Sequence, residues 1–219
     1  MFDLARDVVE LVQHVGWSTI DLLGFSMGGM IAQSVLVTPR LPIKVRHAIL
    51  AATSAKPAHS DLLQAIPQPA QGQMTLEQKM ALVRPFIEVG YDPEFVKTHE
   101  DVIKRRVLES VHTRRPAKTV SHQVGAIAGY DIRKQMSTIP STMPVLVLHG
   151  DKDRSVYYSE SKYILKGLPH AKLITFPGMG HMWYDYYTIR YWTELINSFL
   201  DDKELPPNPA LEQNRKAKL

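Results

Sequence analysis

A chain of 219 residues, 44% hydrophobic and 22% charged, carries enough apolar side chains for one well-buried domain, which excludes disorder of the whole chain. Its net charge of +4 does not mark a nucleic-acid binder, because Lys and Arg are interleaved with acids, as in Asp101-Val-Ile-Lys-Arg-Arg-Val-Leu-Glu109, a pattern that reads as a solvated helix face. With no Cys, disulfides, thiolate nucleophiles and Cys-based metal sites are excluded.

The opening residues carry acids early and hold no uninterrupted apolar run, so they read as neither a signal peptide nor a membrane span. Leu4, Val8, Leu11, Val12 and Val15 recur at helical spacing and predict a helix over 2–15, stopped by Gly16. Ser18–Leu23 reads as a short buried strand, Met27–Val37 as a helix ended by the Pro39–Pro42 segment, and Val45–Ala51 as a second strand. This alternation predicts a parallel α/β sheet. From 53 to 141 the pattern is helical, with helices over Thr75–Val89, Asp92–His112 and Ala117–Ala128, and reads as an insertion. The rhythm resumes with a strand at Pro144–His149, a helix near Tyr158–Leu168, a strand at Ala171–Phe176 and a helix over Tyr184–Leu200. The core is thus expected over 1–52 and 142–200 around about four strands, with a flexible tail over 201–219.

The chemistry concentrates at three loops. Gly24-Phe-Ser-Met-Gly28 fits G-x-S-x-G with a strand before it and a helix after, the context the motif requires. The turn forces Ser26 into a strained conformation, and the flanking glycines are expected to keep backbone and neighbouring strands clear of it. The N–H of Met27, at the start of the helix, would point where an oxyanion forms. A serine alcohol needs a base and a group to orient that base. His181 follows the strand ending at Phe176 on a glycine-rich loop, Pro177-Gly-Met-Gly-His181. The acid lies in Gly150-Asp-Lys-Asp153, with Asp153 preferred, because it sits beyond the tight turn, and Asp151 as the alternative. Each group falls just past a strand's carboxyl end, where parallel sheets collect functional residues. His149 reads as structural, and Trp183, Tyr184, Tyr186 and Tyr187 as core in preference to pocket lining. Metalloprotease and P-loop signatures are missing, and Gly178-Met-Gly180 lacks the third glycine of a dinucleotide site.

Taken together, Gly24-Phe-Ser-Met-Gly-Gly29, His149-Gly-Asp-Lys-Asp153 and Gly180-His181 resemble the α/β-hydrolase superfamily, over residues 1 to about 201. The nucleophile segment is similar to that of the subgroup containing enol-lactonases, small esterases and cofactor-free haloperoxidases. The resemblance implies Ser26 as nucleophile, Asp153 as orienting acid, His181 as base and then acid, and residues 53–141 as a cap over a pocket for a small ester or lactone. It implies no metal or organic cofactor. In such folds the nucleophile strand is fifth of eight, and a loop after the third strand supplies a second oxyanion donor. This chain therefore reads as an N-terminally truncated form, with an unpaired apolar edge at its first strand and activity lowered about a hundred- to a thousandfold by the missing donor. A catalytically silent interaction module and a perhydrolase using peroxide in place of water stand as rivals. The terminal Ala217-Lys218-Leu219, after basic residues, differs by one residue from a peroxisomal address and is expected to engage an import receptor and direct the chain to the peroxisome; a solubilising basic tail on a cytoplasmic protein is the alternative.

Overall fold

The protein is described by a computed structural model covering residues 1–67, 72–113 and 115–210. The Ala217-Lys218-Leu219 terminus lies outside the described residues. In chain order the elements begin with α1 (Phe2–His14), β1 (Thr19–Phe25), α2 (Met27–Leu36) and β2 (Lys44–Ala51). Five helices follow: α3 (Leu62–Ala65), α4 (Leu76–Glu88), α5 (Pro93–Thr98), α6 (Glu100–His112) and α7 (Ala117–Ala128). The chain then forms β3 (Val145–Gly150), α8 (Ser161–Gly167), β4 (Lys172–Phe176) and α9 (Ile189–Leu200).

Among the described residues four strands pair in parallel in the order β1-β2-β3-β4. β2 and β3 are apolar at successive positions because both faces of the sheet are covered. Ala48, Leu50, Val145 and Val147 pack with Met30 and Ala32 of α2 and Ile164 of α8. Ile49, Ala51, Leu146 and Leu148 pack with Trp192 and Leu195 of α9. One face of α1 buries Ala5, Val9 and Val12 with Val35 and Ile43. Leu11 and Val15, counted in its predicted apolar stripe, are instead 62% and 48% exposed. No described helix is long and apolar enough to cross a membrane.

Among the described residues β1 is an edge, hydrogen-bonded to β2 alone, and Leu23 on it is 44% exposed. Asp21 interrupts this apolar strand and accepts hydrogen bonds from Arg46 and, at 2.9 Å, from His47 Nδ1. A charged residue on an edge strand disfavours its use as a pairing template.

The helix boundaries differ from expectation where caps intervene. The helix predicted over 92–112 breaks at His99, whose φ of −128° and ψ of 49° leave the helical region. Asp92 caps α5 by accepting from the Glu94 and Phe95 N–H groups with Pro93 at the first position, and the His99 ring stacks on Phe95 at 4.0 Å. The last helix begins at Ile189, not 184, because the Thr188 hydroxyl accepts from the Tyr191 N–H; Trp183–Asp185 forms a separate 3-10 turn. The helix expected near 158–168 likewise divides into a 3-10 turn at Tyr158–Glu160 and α8.

Candidate active site

The three loops meet at the carboxyl rim of the sheet. Ser26 caps α2 with φ 54° and ψ −123°, a strained conformation for a residue with a Cβ. Hydrogen bonds to its backbone hold it there. Its N–H donates to Ala51 O at 3.0 Å, and its carbonyl accepts from the Gly29 N–H at 2.9 Å and from the Thr53 hydroxyl at 2.7 Å. Met27 is the first residue of α2, so its N–H belongs to the first helical turn, whose amides lack intrahelical acceptors.

Only one of the two glycines of G-x-S-x-G is sterically required. A Cβ at Gly24 would lie 2.5 Å from Gly28 O and one at Gly29 2.5 Å from Thr53 Cβ, whereas one at Gly28 meets nothing within 4 Å. Close strand–helix packing demands Gly24 and Gly29; the second glycine of G-x-S-x-G is not sterically required. We therefore expect Gly28→Ala to leave the melting temperature unchanged or raise it, since Gly in a helix costs up to about 1 kcal/mol relative to Ala. Gly24→Ala should lower stability by about 1–3 kcal/mol through overpacking. Thermal denaturation of the two variants checks this, and equal losses would refute the steric assignment.

His181 joins the elbow to the acid. Its Nε2 lies 2.9 Å from Ser26 Oγ and its Nδ1 2.8 Å from Asp153 Oδ2. Both His181 and Asp153 are buried, while Ser26 is partly exposed. Asp153 Oδ1 accepts from the Ser155 and Val156 N–H groups at 2.9 and 2.8 Å. Burial pushes this carboxyl up, but the His181 charge and the hydrogen bonds from His149 and His181 outweigh it and hold the group below the usual carboxylate range. Asp151, the alternative acid, does another job: its Oδ1 accepts from the Gly178 N–H at 2.7 Å and ties the acid loop to the loop of His181. The two loops touch so closely that a Cβ at Gly150 would lie 2.0 Å from Met179 O.

The other side of the His181 loop is held by the helical segment. Met182 N–H donates to Gly90 O at 2.9 Å, and Asp185 accepts from the Tyr91 hydroxyl at 2.6 Å and from Arg106 Nε and Nη2 at 2.9 and 2.6 Å. Sequence spacing marks none of these residues, nor Thr53, because each is recruited from a distant element. Trp183 is buried against Trp192, and Tyr186 and Tyr187 are partly buried beside the same cluster, as the core reading expects. Tyr184 departs from it: 37% exposed, it stands edge-on to Phe25, whose ring in turn lies 4.8 Å from that of His181. A cleft of about 380 Å³ behind the acid loop is lined by Asp92, Lys152, Asp153 and Tyr157, and by neither Ser26 nor His181.

A serine elbow after β1, an acid loop after β3 and a histidine loop after β4, on one rim of a parallel sheet flanked by helices, define an α/β-hydrolase. The chain belongs to the hydrolase family described as serine aminopeptidase, S33, which matches residues 1–184. It is 28% identical over 183 residues to the dihydrolipoyllysine-residue acetyltransferase component of the acetoin cleaving system of Pseudomonas putida, covering 82% of this chain and 45% of that protein. Over 60 residues it is 33% identical to the AB hydrolase superfamily protein YisY of Bacillus subtilis, covering 27% of this chain and 22% of that one. The chain thus spans less than half the length of either curated relative. Among solved structures it is similar in fold to an α/β-hydrolase enzyme from a Medee basin deep-sea metagenome library, with a TM-score of 0.73, 21% identity and coverage of 93% and 72% of the two chains. The enol-lactonase of Burkholderia xenovorans gives a TM-score of 0.68 at 17% identity, covering 91% of this chain and 72% of the other.

Proposed function

We propose that this chain is a serine hydrolase that cleaves carboxylic esters or lactones through an acyl-enzyme. The observation that carries the reading is the unbroken relay from Ser26 Oγ through the His181 ring to Asp153 Oδ2, at 2.9 and 2.8 Å. His181 Nε2 takes the Ser26 proton as Oγ attacks the carbonyl carbon, and the developing oxyanion rests on the Met27 N–H. Collapse breaks the ester C–O bond, and His181 returns its proton to the leaving alkoxide. Water then attacks the acyl-enzyme and gives one proton to His181; the C–O bond to Ser26 breaks, Oγ takes that proton back from His181, and the carboxylic acid leaves and ionises, releasing its proton to solvent. Asp153 holds the ring with Nδ1–H toward itself and stabilises the imidazolium.

The name of the Burkholderia neighbour, an enol-lactonase, agrees with this substrate class. The family description, serine aminopeptidase, names a different one. A peptide substrate with a free N-terminus calls for a carboxylate to receive its ammonium. The acids in contact with the His181 segment, Asp151, Asp153 and Asp185, each accept from internal donors, which favours a neutral ester. The test is covalent labelling with a fluorophosphonate probe, which should modify the folded wild-type chain and leave Ser26→Ala unmodified. Absence of labelling in folded wild type, or its persistence in Ser26→Ala, would defeat the reading.

A further inference from the structure

A second histidine contacts the acid. His149, the penultimate residue of β3, is fully buried, and its Nε2 lies 2.9 Å from Val156 O and 3.3 Å from Asp153 Oδ2. A backbone carbonyl can only accept, and Asp153 is an ionised carboxylate, so Nε2 must carry the ring proton and share it between the two oxygens. Nδ1 is left buried and without a hydrogen-bond partner among the described residues. An unpartnered buried ring nitrogen is costly, so this orientation is held by what Nε2 gains on the other side. Tyr158 fixes the ring edge-on, at 5.7 Å between centroids.

Asp153 is then saturated. A carboxylate offers about four acceptor positions. The Ser155 and Val156 N–H groups occupy Oδ1, and His181 Nδ1–H and His149 Nε2–H converge on Oδ2. Without His149, Oδ2 would be held by His181 alone, free to swing with that ring and to present its full charge to it.

Building on the function proposed above, we infer that His149 is a positioning residue of the relay, whose Nε2–H shares Asp153 Oδ2 with His181, fixing the carboxylate and limiting the charge it presents to the imidazole. The ionisable groups facing Asp153 are His149 from β3, His181 from the loop after β4 and, more remotely, Tyr186, whose phenol senses the Asp153 charge; Tyr158 faces His149. The sign follows from them. Removing the His149 donor concentrates negative charge opposite His181, which stabilises the imidazolium and raises the pH needed to deprotonate it.

For hydrolysis of p-nitrophenyl acetate, His149→Leu is expected to move the acid limb of kcat/KM upward by about 0.5–1 pH unit, and to lower kcat about tenfold with little change in KM. His149→Gln places an amide N–H near the Nε2 position and should restore both. An unmoved acid limb in folded His149→Leu, or equal behaviour of the Leu and Gln variants, would overturn the inference. A second measurement needs neither variant nor turnover: nitrogen-15 spectra of the histidines in the wild-type protein should show His149 as the Nε2–H tautomer, and the Nδ1–H tautomer would overturn the inference. Failure of the probe to label Ser26 would remove the hydrolase reading while leaving this tautomer result standing. Labelling with the wrong tautomer would remove this inference alone.

Discussion

Replacing His181 by alanine is expected to lower kcat for a small activated ester by about a millionfold, and adding Ser26→Ala to that variant is expected to cost almost nothing more. The reason is that the two side chains act through one proton. With Nε2 2.9 Å from Oγ, the serine becomes a nucleophile only as the ring accepts its hydrogen, so deleting either partner removes the same step. Asp153→Asn should cost about ten thousandfold, because an amide in place of Oδ2 favours the wrong tautomer of the ring. Steady-state kinetics on the two single variants and their combination read the result directly. Multiplicative losses for His181 and Ser26 would mean that the residues act separately and that their 2.9 Å contact is not the working relay.

The second large effect concerns stability. Glu160 is fully buried in the turn before α8 and accepts from Lys56 Nζ at 2.9 Å, from His59 Nδ1 at 2.6 Å and from the Ser54 hydroxyl at 3.3 Å. It thereby fastens the segment after β2 to the start of α8. Glu160→Gln leaves the nearly buried Lys56 ammonium without its counter-charge, and removing one partner of such a pair costs about 3–5 kcal/mol. For a chain of this size that is a fall in Tm on the order of 10 °C.

The pH dependence has a definite sign. Burial pushes the Glu160 carboxyl up, but hydrogen bonds from Lys56 and His59 and the Lys56 charge outweigh it and hold the group below its ordinary value. A depressed carboxyl contributes stability that is complete above the unfolded-state value of about 4.3 and is lost as pH falls through the lower folded-state value. The Tm gap between wild type and Glu160→Gln should therefore be widest near neutrality and close in acid. Calorimetry at pH 7 and pH 3 checks it; an equal gap at both would show that packing, not charge, explains the loss. Replacing Lys56 and Glu160 together by Met should recover much of the stability, because no uncompensated charge remains.

Features that depend on local pattern are legible along the chain. The apolar runs of β2 and β3 mark strands covered on both faces, the strand–helix alternation marks a parallel sheet, and Gly24-Phe-Ser-Met-Gly28 marks a sharp turn between strand and helix. Chain order alone puts Ser26, Asp153 and His181 after β1, β3 and β4, and parallel pairing necessarily brings those strand ends to one rim. Helix breaks were less legible. His99 divides two helices through its ring contact with Phe95 and the Asp92 cap, neither of which periodicity registers.

Choices between partners of equal local standing are made by long-range packing. Asp151 and Asp153 stand two residues apart in the same loop, and their roles separate because the turn aims one at the Gly178 N–H and the other at His181. Gly28 and Gly29 are adjacent in the chain, yet Thr53, arriving from β2, crowds only the second. His149 is one more residue of a buried strand until the acid loop folds back over it, and Asp185 is a surface-type residue until Tyr91 and Arg106 reach it from the helical segment. In each case the deciding contact is made by an element distant in the chain, and side-chain chemistry declares what a residue can bond to without specifying which distant group packing will bring within 3 Å.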